Sequence, residues 1–166
     1  MQVKTIEIHG ENEFATTEKT RVACRGVVIK DALMLISHEV NTDQFFIPGG
    51  GLETGETLEE CCVREVQEET GYVVRANRHF LTIDEFYDDC KYVSHYFICE
   101  MIGKKEQHLT EAERENGLVP EWISPQEMLA LYAKHDDFAA TNEEKYGSYL
   151  REYTALREYF AFEKKE

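Results

Sequence analysis

Glu65, Glu68 and Glu69 stand three and four positions apart in the run LEECCVREVQEET, a spacing that returns side chains to one side of an α-helix. With each residue advancing about 100° and Leu58 taken as zero, the three carboxylates fall at roughly 340°, 280° and 20°. Cys61 and Cys62 fall beside them at roughly 300° and 40°, whereas Glu60 and Gln67 fall on the far side at roughly 200° and 180°. The acids thus continue an apolar face and look towards a cleft. Like charges at this spacing repel by a few tenths of a kcal/mol each in water (about 0.2–0.5), and by more where water is partly excluded. Arg64 can pair with Glu60 or Glu68 at four-residue spacing, but one guanidinium cannot neutralise three carboxylates. A hard divalent cation can. An all-oxygen donor set selects Mg²⁺, Mn²⁺ or Ca²⁺ over zinc, and Mg²⁺ held by few carboxylates keeps waters and bridges to substrate phosphates. The substrate expected is one that carries phosphate.

The flanking residues set this helix in place. Phe45, Phe46, Ile47 and Pro48 read as a short strand running into a turn at Gly49, Gly50 and Gly51, where glycine lets backbone approach a ligand closely. Gly55 gives a second tight turn, Glu56 and Thr57 supply an acid and an N-cap, and Gly71 sits where a left-handed C-cap ends the helix. Strands are expected over 21–30 and 32–38 around a turn at Asp31, then over Phe80 to Phe86 and Tyr92 to Met101, with Asp88 and Asp89 turning between them. Glu121 to Ser124 reads as a short strand, and Pro125 opens a helix through Met128, Leu129 and Tyr132. A final helix starts near Thr141 or Asn142 and carries Tyr149, Leu150, Tyr153, Leu156 and Phe160 along one stripe. Strands around one central helix, with helices closing the chain, imply layers of helix, mixed sheet and helix.

The segment from Gly50 to Tyr72 resembles the Nudix box, Gx5Ex7REUxEExGU with U a bulky apolar residue. Gly50, Glu56, Arg64, Glu65, Val66, Glu68, Glu69 and Gly71 fill it, and Tyr72 stands where the family usually has an aliphatic residue. The flanking pattern is similar to the family over roughly residues 20 to 135. The resemblance implies an α/β fold, a Nudix-type α/β/α sandwich with a mixed β-sheet. It further implies Mg²⁺-dependent hydrolysis, with Mn²⁺ as an alternative, of a pyrophosphate bond in a nucleoside diphosphate linked to another moiety, through metal-activated water. Carried onto this chain, Glu65, Glu68 and Glu69 would hold the metal, and Glu65 would orient or deprotonate the water. The Gly49 carbonyl would be a further ligand, Arg64 would orient the carboxylates, and Glu56 would join the helix end to the loop. Some family members add a carboxylate from the loop before a late tryptophan-containing strand. Glu115 in RENGLVPEW occupies a similar place, with Glu111 and Glu113 as competitors and a solvated loop as the plainer reading.

Composition bounds the rest. A chain of 166 residues with 42% hydrophobic content is expected to form one domain over 1–166, with an N-terminal strand region over 1–20 and a C-terminal helix over about 142–162 packed on it or extending it. The net charge of −15 argues against nucleic-acid partners, and it implies that a polyphosphate is held as a metal complex. No apolar run approaches a membrane span, and MQVKTIEIHGENEF lacks the regions of a signal peptide, so the expected compartment is cytoplasmic. Five cysteines without CxxC spacing read as reduced, buried thiols. His79 and His95 read as satisfied sheet residues, and Arg25 as either a phosphate contact or a rim residue. Trp122, Tyr87 and Tyr92 either stack on a base or fill the interior, and the last helix offers packing or a dimer contact, leaving monomer and homodimer both open. Family members that hydrolyse ADP-ribose often carry a proline shortly after the box, and none lies between Pro48 and Pro120; Tyr87 stands where dinucleoside polyphosphate hydrolases often carry a tyrosine. The substrate class therefore leans to nucleoside or dinucleoside polyphosphates. The alternatives are an ADP-ribose or nucleotide-sugar pyrophosphatase, a non-catalytic nucleotide sensor, and an acidic adaptor docking through helix 144–162.

Overall fold

The computed structural model describes residues 2–10, 19–88 and 90–166. Asp89, half of the expected turn at Asp88 and Asp89, lies outside the described residues, as do residues 11–18 of the N-terminal region. The elements are β1 (Lys4–His9), β2 (Thr20–Lys30), β3 (Leu33–Glu39), β4 (Gln44–Phe46), β5 (Gly49–Gly51), α1 (Leu58–Thr70), β6 (Tyr72–Phe86), β7 (Lys91–Lys104), α2 (Glu111–Glu115), β8 (Leu118–Ile123), α3 (Pro125–Tyr132) and α4 (Glu143–Glu163). A single 3₁₀ turn at His135–Phe138 precedes α4.

The sheet is mixed, in the order β1-β6-β7-β2-β3-β4, with β5 paired to β2 and β8 to β3. β1 runs parallel to β6 and β2 parallel to β7, while β6 with β7, β2 with β3 and β5, and β3 with β4 and β8 are antiparallel. β2 is the central strand: Val27 and Val28 are adjacent, point to opposite faces and are both fully buried. It turns into β3 through Asp31 and Ala32 at φ 52° and 63°, the two positive values a two-residue I′ hairpin requires. β6 starts at Tyr72 rather than at Phe80. Register shifts at Val73/Val74, Ala76/Arg78 and His79/Leu81 interrupt the period-2 pattern that would mark its first half as strand.

Each face of the sheet carries its own apolar layer. On one, Cys61, Cys62 and Val66 of α1 meet Cys24, Val28, Leu35, Val74 and Phe97. On the other, Met128 and Tyr132 of α3 and Tyr149, Leu156 and Tyr159 of α4 meet Val27, Ile36, Leu81, Ile83 and Tyr96. This is the expected α/β/α sandwich, and the aromatic stripe of α4 is spent on the chain's own sheet. Burying a side chain such as Leu156 is worth about 1.5–3 kcal/mol, enough to fix α4 against that face. All five cysteines are free and buried. No helix among the described residues is long and apolar enough to cross a membrane.

Both ends of α1 are set locally. Thr57 Oγ1 accepts from the Glu60 N–H (3.1 Å) and Glu60 Oε2 accepts from the Thr57 N–H (2.9 Å), a reciprocal capping box. Glu60 is thereby committed, so it does not pair with Arg64 as the four-residue spacing allowed. Gly71 closes the helix at φ 77°, its N–H donating to the Gln67 carbonyl at 2.8 Å. The segment expected to be a loop around Glu111 to Glu115 is a short helix, opened by a second capping box between Thr110 and Glu113.

Candidate active site

Gly49, Gly50 and Gly51 form a strand rather than the expected open turn, pairing with Arg25, Cys24 and Ala23 of β2. A Cβ at position 49 would lie 2.2 Å from the Cys24 carbonyl oxygen, and one at position 50 would lie 2.3 Å from Glu65 Oε2. Glycine is thus demanded twice by close approach, once to the sheet and once to the carboxylate face of α1. The strand also explains how β5 and α1 come to share a surface, since the chain turns between them through Gly55 at φ 83°.

Arg64 organises one side of that surface. Its Nε donates to Glu56 Oε1 (2.6 Å), Nη1 to Glu65 Oε1 (2.7 Å) and Glu68 Oε2 (3.2 Å), and Nη2 to Glu56 Oε2 (3.1 Å) and the Gly51 carbonyl (2.9 Å). One guanidinium therefore ties the loop acid Glu56, two of the three helix acids and the glycine strand together. The Arg64 side chain holds the Glu56 carboxyl down at about 2. Burial pushes Glu65 above the usual carboxylate range even though Arg64 opposes it. Glu68 is the more open of the pair, its side chain 33% exposed against 16% for Glu65.

Glu69 faces another environment. Its Oε2 accepts from Ser37 Oγ (2.9 Å) and from the Gly49 N–H (3.2 Å), and burial outweighs both, raising its pKa to about 8. The Arg25 charge also favours the ionised form, whereas the Glu113 charge opposes it at Glu69 and at Glu65 alike. Glu113 of α2 is thus an acid whose charge these carboxylates feel. It is partly buried, while Glu111 and Glu115 are exposed, and the Glu115 carbonyl accepts from Asn41 Nδ2 at 2.7 Å.

The donors are all oxygen, and two of the carboxylates are held against their ordinary ionisation by burial. Such a set is short of positive charge, which fits a hard divalent cation. Among the described residues no three His, Cys, Asp or Glu side chains already close around a single point, so the carboxylates line a common face rather than form a finished cage. Gly49, the expected carbonyl donor, is tied to the same group through its N–H.

Several neighbours were beyond a local reading of the chain. Ser37 is a buried hydroxyl on the apolar strand β3. Glu152 of α4 is fully buried, and accepts from the Ile47 N–H (2.6 Å), Tyr96 Oη (2.7 Å) and Arg151 Nε (3.1 Å). Its place on the stripe between Tyr149 and Leu156 was the available signal. Arg25 Nη1 donates to the Ile47 carbonyl at 3.4 Å, and Arg25 also lines a cleft of about 570 Å³ together with Phe46, Glu85, Tyr87, Tyr92 and Arg151. Tyr87 and Tyr92 therefore face this cleft, while Trp122 stands apart from it: its Nε1 donates to Tyr72 Oη at 3.0 Å with the rings edge to face. That contact gives the aromatic residue at position 72 its reason. His79 and His95 share Thr82 Oγ1 at 3.2 and 3.1 Å, as satisfied sheet residues do.

A family model for the NUDIX domain matches residues 19–143. The ADP-ribose pyrophosphatase of Methanocaldococcus jannaschii is 46% identical over 55 residues, covering 31% of this chain and 32% of that protein. The NAD-capped RNA hydrolase NudC of Photobacterium profundum is 42% identical over 52 residues, covering 31% of this chain and 20% of that protein. The matched segments thus span a third or less of either relative. Among solved structures, a NUDIX hydrolase from Nitrosomonas europaea superposes with a TM-score of 0.57 at 24% identity, covering 68% of this chain and 77% of that one. At that identity the likeness speaks for the fold.

Proposed function

This chain belongs to the NUDIX family, and on that premise we propose that it is a divalent-metal-dependent pyrophosphohydrolase acting on a nucleoside diphosphate joined to another group. The observation that carries the reading is the gathering of Glu65, Glu68 and Glu69 against a strand of glycines, with Arg64 spanning two of them. Glu65, Glu68 and Glu69 would hold Mg²⁺ or Mn²⁺, joined by the Gly49 carbonyl and an acid from α2, Glu115 or Glu113. When bound, the ion supplies Lewis-acid polarisation of the phosphoryl oxygens and makes water more acidic. Arg64 fixes Glu65 through Oε1, which leaves Oε2 to take a proton from the attacking water as the bridging P–O bond breaks. Glu56, ionised throughout the neutral range, anchors Arg64 and does not touch substrate.

The substrate reading is a nucleoside or dinucleoside polyphosphate, supported by Tyr87 at the rim of the cleft. A second reading, an ADP-ribose or nucleotide-sugar pyrophosphatase, is favoured by the name of the M. jannaschii relative. A net charge of −15 weighs against binding the body of an RNA chain. Five buried, unpaired thiols suit a reducing, cytoplasmic setting. The test is product analysis on a panel of nucleoside triphosphates, dinucleoside polyphosphates, ADP-ribose and nucleotide sugars with Mg²⁺ or Mn²⁺. Turnover of a member identifies the class. Binding without turnover of any member would instead make the protein a nucleotide sensor, a role that sits poorly with a box that has lost no carboxylate.

A further inference from the structure

Two histidines of β6 and β7 bring their ring nitrogens together on the side of the sheet that faces α1, where Phe97 also lies. His79 Nε2 and His95 Nδ1 are 3.2 Å apart, and Thr82 Oγ1 lies 3.2 Å from the first and 3.1 Å from the second. The meeting depends on a bulge. Continued without interruption, the pairing of Thr82 with His95 and of Leu81 with Tyr96 would set Phe80 opposite Phe97 and turn His79 to the other side of the sheet. The register shift at His79/Leu81 instead sets His79 opposite Phe97, where its ring stacks with 4.7 Å between centroids. Phe80, the residue left over, packs its ring on Tyr159 and Phe162 of α4. One extra residue thus fills the layer under α4 and delivers an imidazole to His95.

These three atoms satisfy one another as hydrogen-bond partners, and their spacing is also that of a metal shell. A tetrahedral Zn²⁺ with bonds of about 2.0 Å holds its donors about 3.3 Å apart, close to each side of this triangle. The stack on Phe97 orients the His79 ring, and Thr82 is buried. Burial pushes both imidazoles below the ordinary histidine range, so the neutral, ligating form prevails at pH 7, and the charges of Glu59 and Asp84 reach His79 and His95 respectively to offset a cation. Among the described residues no third His, Cys, Asp or Glu closes on this point; both rings are partly exposed, so water can complete the shell. Imidazole nitrogen suits Zn²⁺, Ni²⁺ or Cu²⁺, whereas Mg²⁺ and Mn²⁺ favour the all-oxygen face of α1. We propose that His79 Nε2 and His95 Nδ1, with Thr82 Oγ1, form a second metal site, for Zn²⁺ or a divalent ion of similar preference, which pins β6 to β7 across the bulge. The assignment is independent of the hydrolase reading.

The test is Zn²⁺ binding by the chelator-treated, folded protein, read by competition with a zinc-sensitive dye while excess Mg²⁺ occupies the carboxylates of α1. His79→Gln and His95→Gln should each weaken the binding by about tenfold or more, and Glu68→Gln should leave it within about twofold. A crystal of the unaltered chain soaked in zinc chloride, measured at the zinc absorption edge, should place the ion about 2.0–2.1 Å from both His79 Nε2 and His95 Nδ1. That measurement decides the matter even where a histidine variant fails to fold. No ion at the two nitrogens, or an ion only among Glu65, Glu68 and Glu69, overturns the proposal. So does Zn²⁺ binding that is lost in Glu68→Gln and kept in both histidine variants. An ion at the imidazoles in the soaked crystal with no competition in solution is binding at crystal concentration only, and overturns it as well. Each of these results leaves the hydrolase reading where it stands, since none of them measures turnover.

Discussion

At position 50 a single methyl group would occupy the space of Glu65 Oε2, so Gly50→Ala is expected to displace the carboxylate and lower kcat by at least about tenfold with little loss of folded protein. Glu68→Gln should remove most of the activity, about 10–100-fold or more, because it deletes a proposed ligand without disturbing Glu56 or the capping box; retention of a near-normal rate would remove Glu68 from the site. Among the acids of α2, a Mg²⁺ titration of activity separates ligand from bystander. Glu113→Gln should shift the Mg²⁺ requirement, since Glu65 and Glu69 feel that charge, and an equal or larger shift in Glu115→Gln would return the role to Glu115. Glu69 also gives the ion-free protein a pH signature. Its folded value of about 8 lies above the ordinary 4.5, so the folded state binds the proton more tightly, and the stabilisation this provides is complete below about 4.5 and lost as pH rises through about 8. In a chelator, thermal midpoints should fall between about pH 6 and 8.5, and Glu69→Gln should flatten that slope. A wild-type midpoint constant over this range would contradict the buried setting of Glu69.

At the scale of elements, the loop before the glycine strand is held from behind by α4, through the Glu152 carboxylate on the Ile47 N–H. Glu152→Ala leaves that N–H and Tyr96 Oη without their acceptor in a closed interior and Arg151 with Glu85 alone, and should cost about 3–5 kcal/mol, measured by chemical denaturation. Elements of this chain were legible where local chemistry declared them. Thr57, Gly71, Pro125 and Asn142 mark helix ends by side chain or backbone type, and each stands at such an end in the structure. The first half of β6 was illegible because bulges break its alternation. The turn of helix at α2 carries the T-x-x-E signature at Thr110 and Glu113, but its five residues present no buried stripe by which to extend that signal into a helix.

For the molecule as a whole, a charge of −15 with several acids crowded on one face predicts that divalent cations stabilise the fold. Mg²⁺ at a hundred times its Kd should add about 2.7 kcal/mol, a rise of about 5–10 °C in Tm for a chain of this size. The rise should shrink in Glu68→Gln, and an unchanged melting curve in the wild type would argue that no ion-binding face exists before substrate arrives. The carboxylate face could be read from the chain because 23 consecutive residues, Gly50 to Tyr72, contain nearly all of it. The cavity that Arg25, Glu85 and Ser148 share could not, because only the parallel pairing of β2 with β7 and the return of α4 across the sheet bring residues so far apart in sequence together.

That return of α4 makes one side of the molecule answerable to the other. The carboxylate-bearing helix α1 sits on one face of the sheet, whereas Gly147, Ser148, Arg151 and Glu152 come from the opposite face and lie past residue 143, where the family match ends. Any sequence put in place of this last helix must restore the Glu152 bond to the Ile47 N–H, or the glycine strand on the other side of the sheet loses its backing.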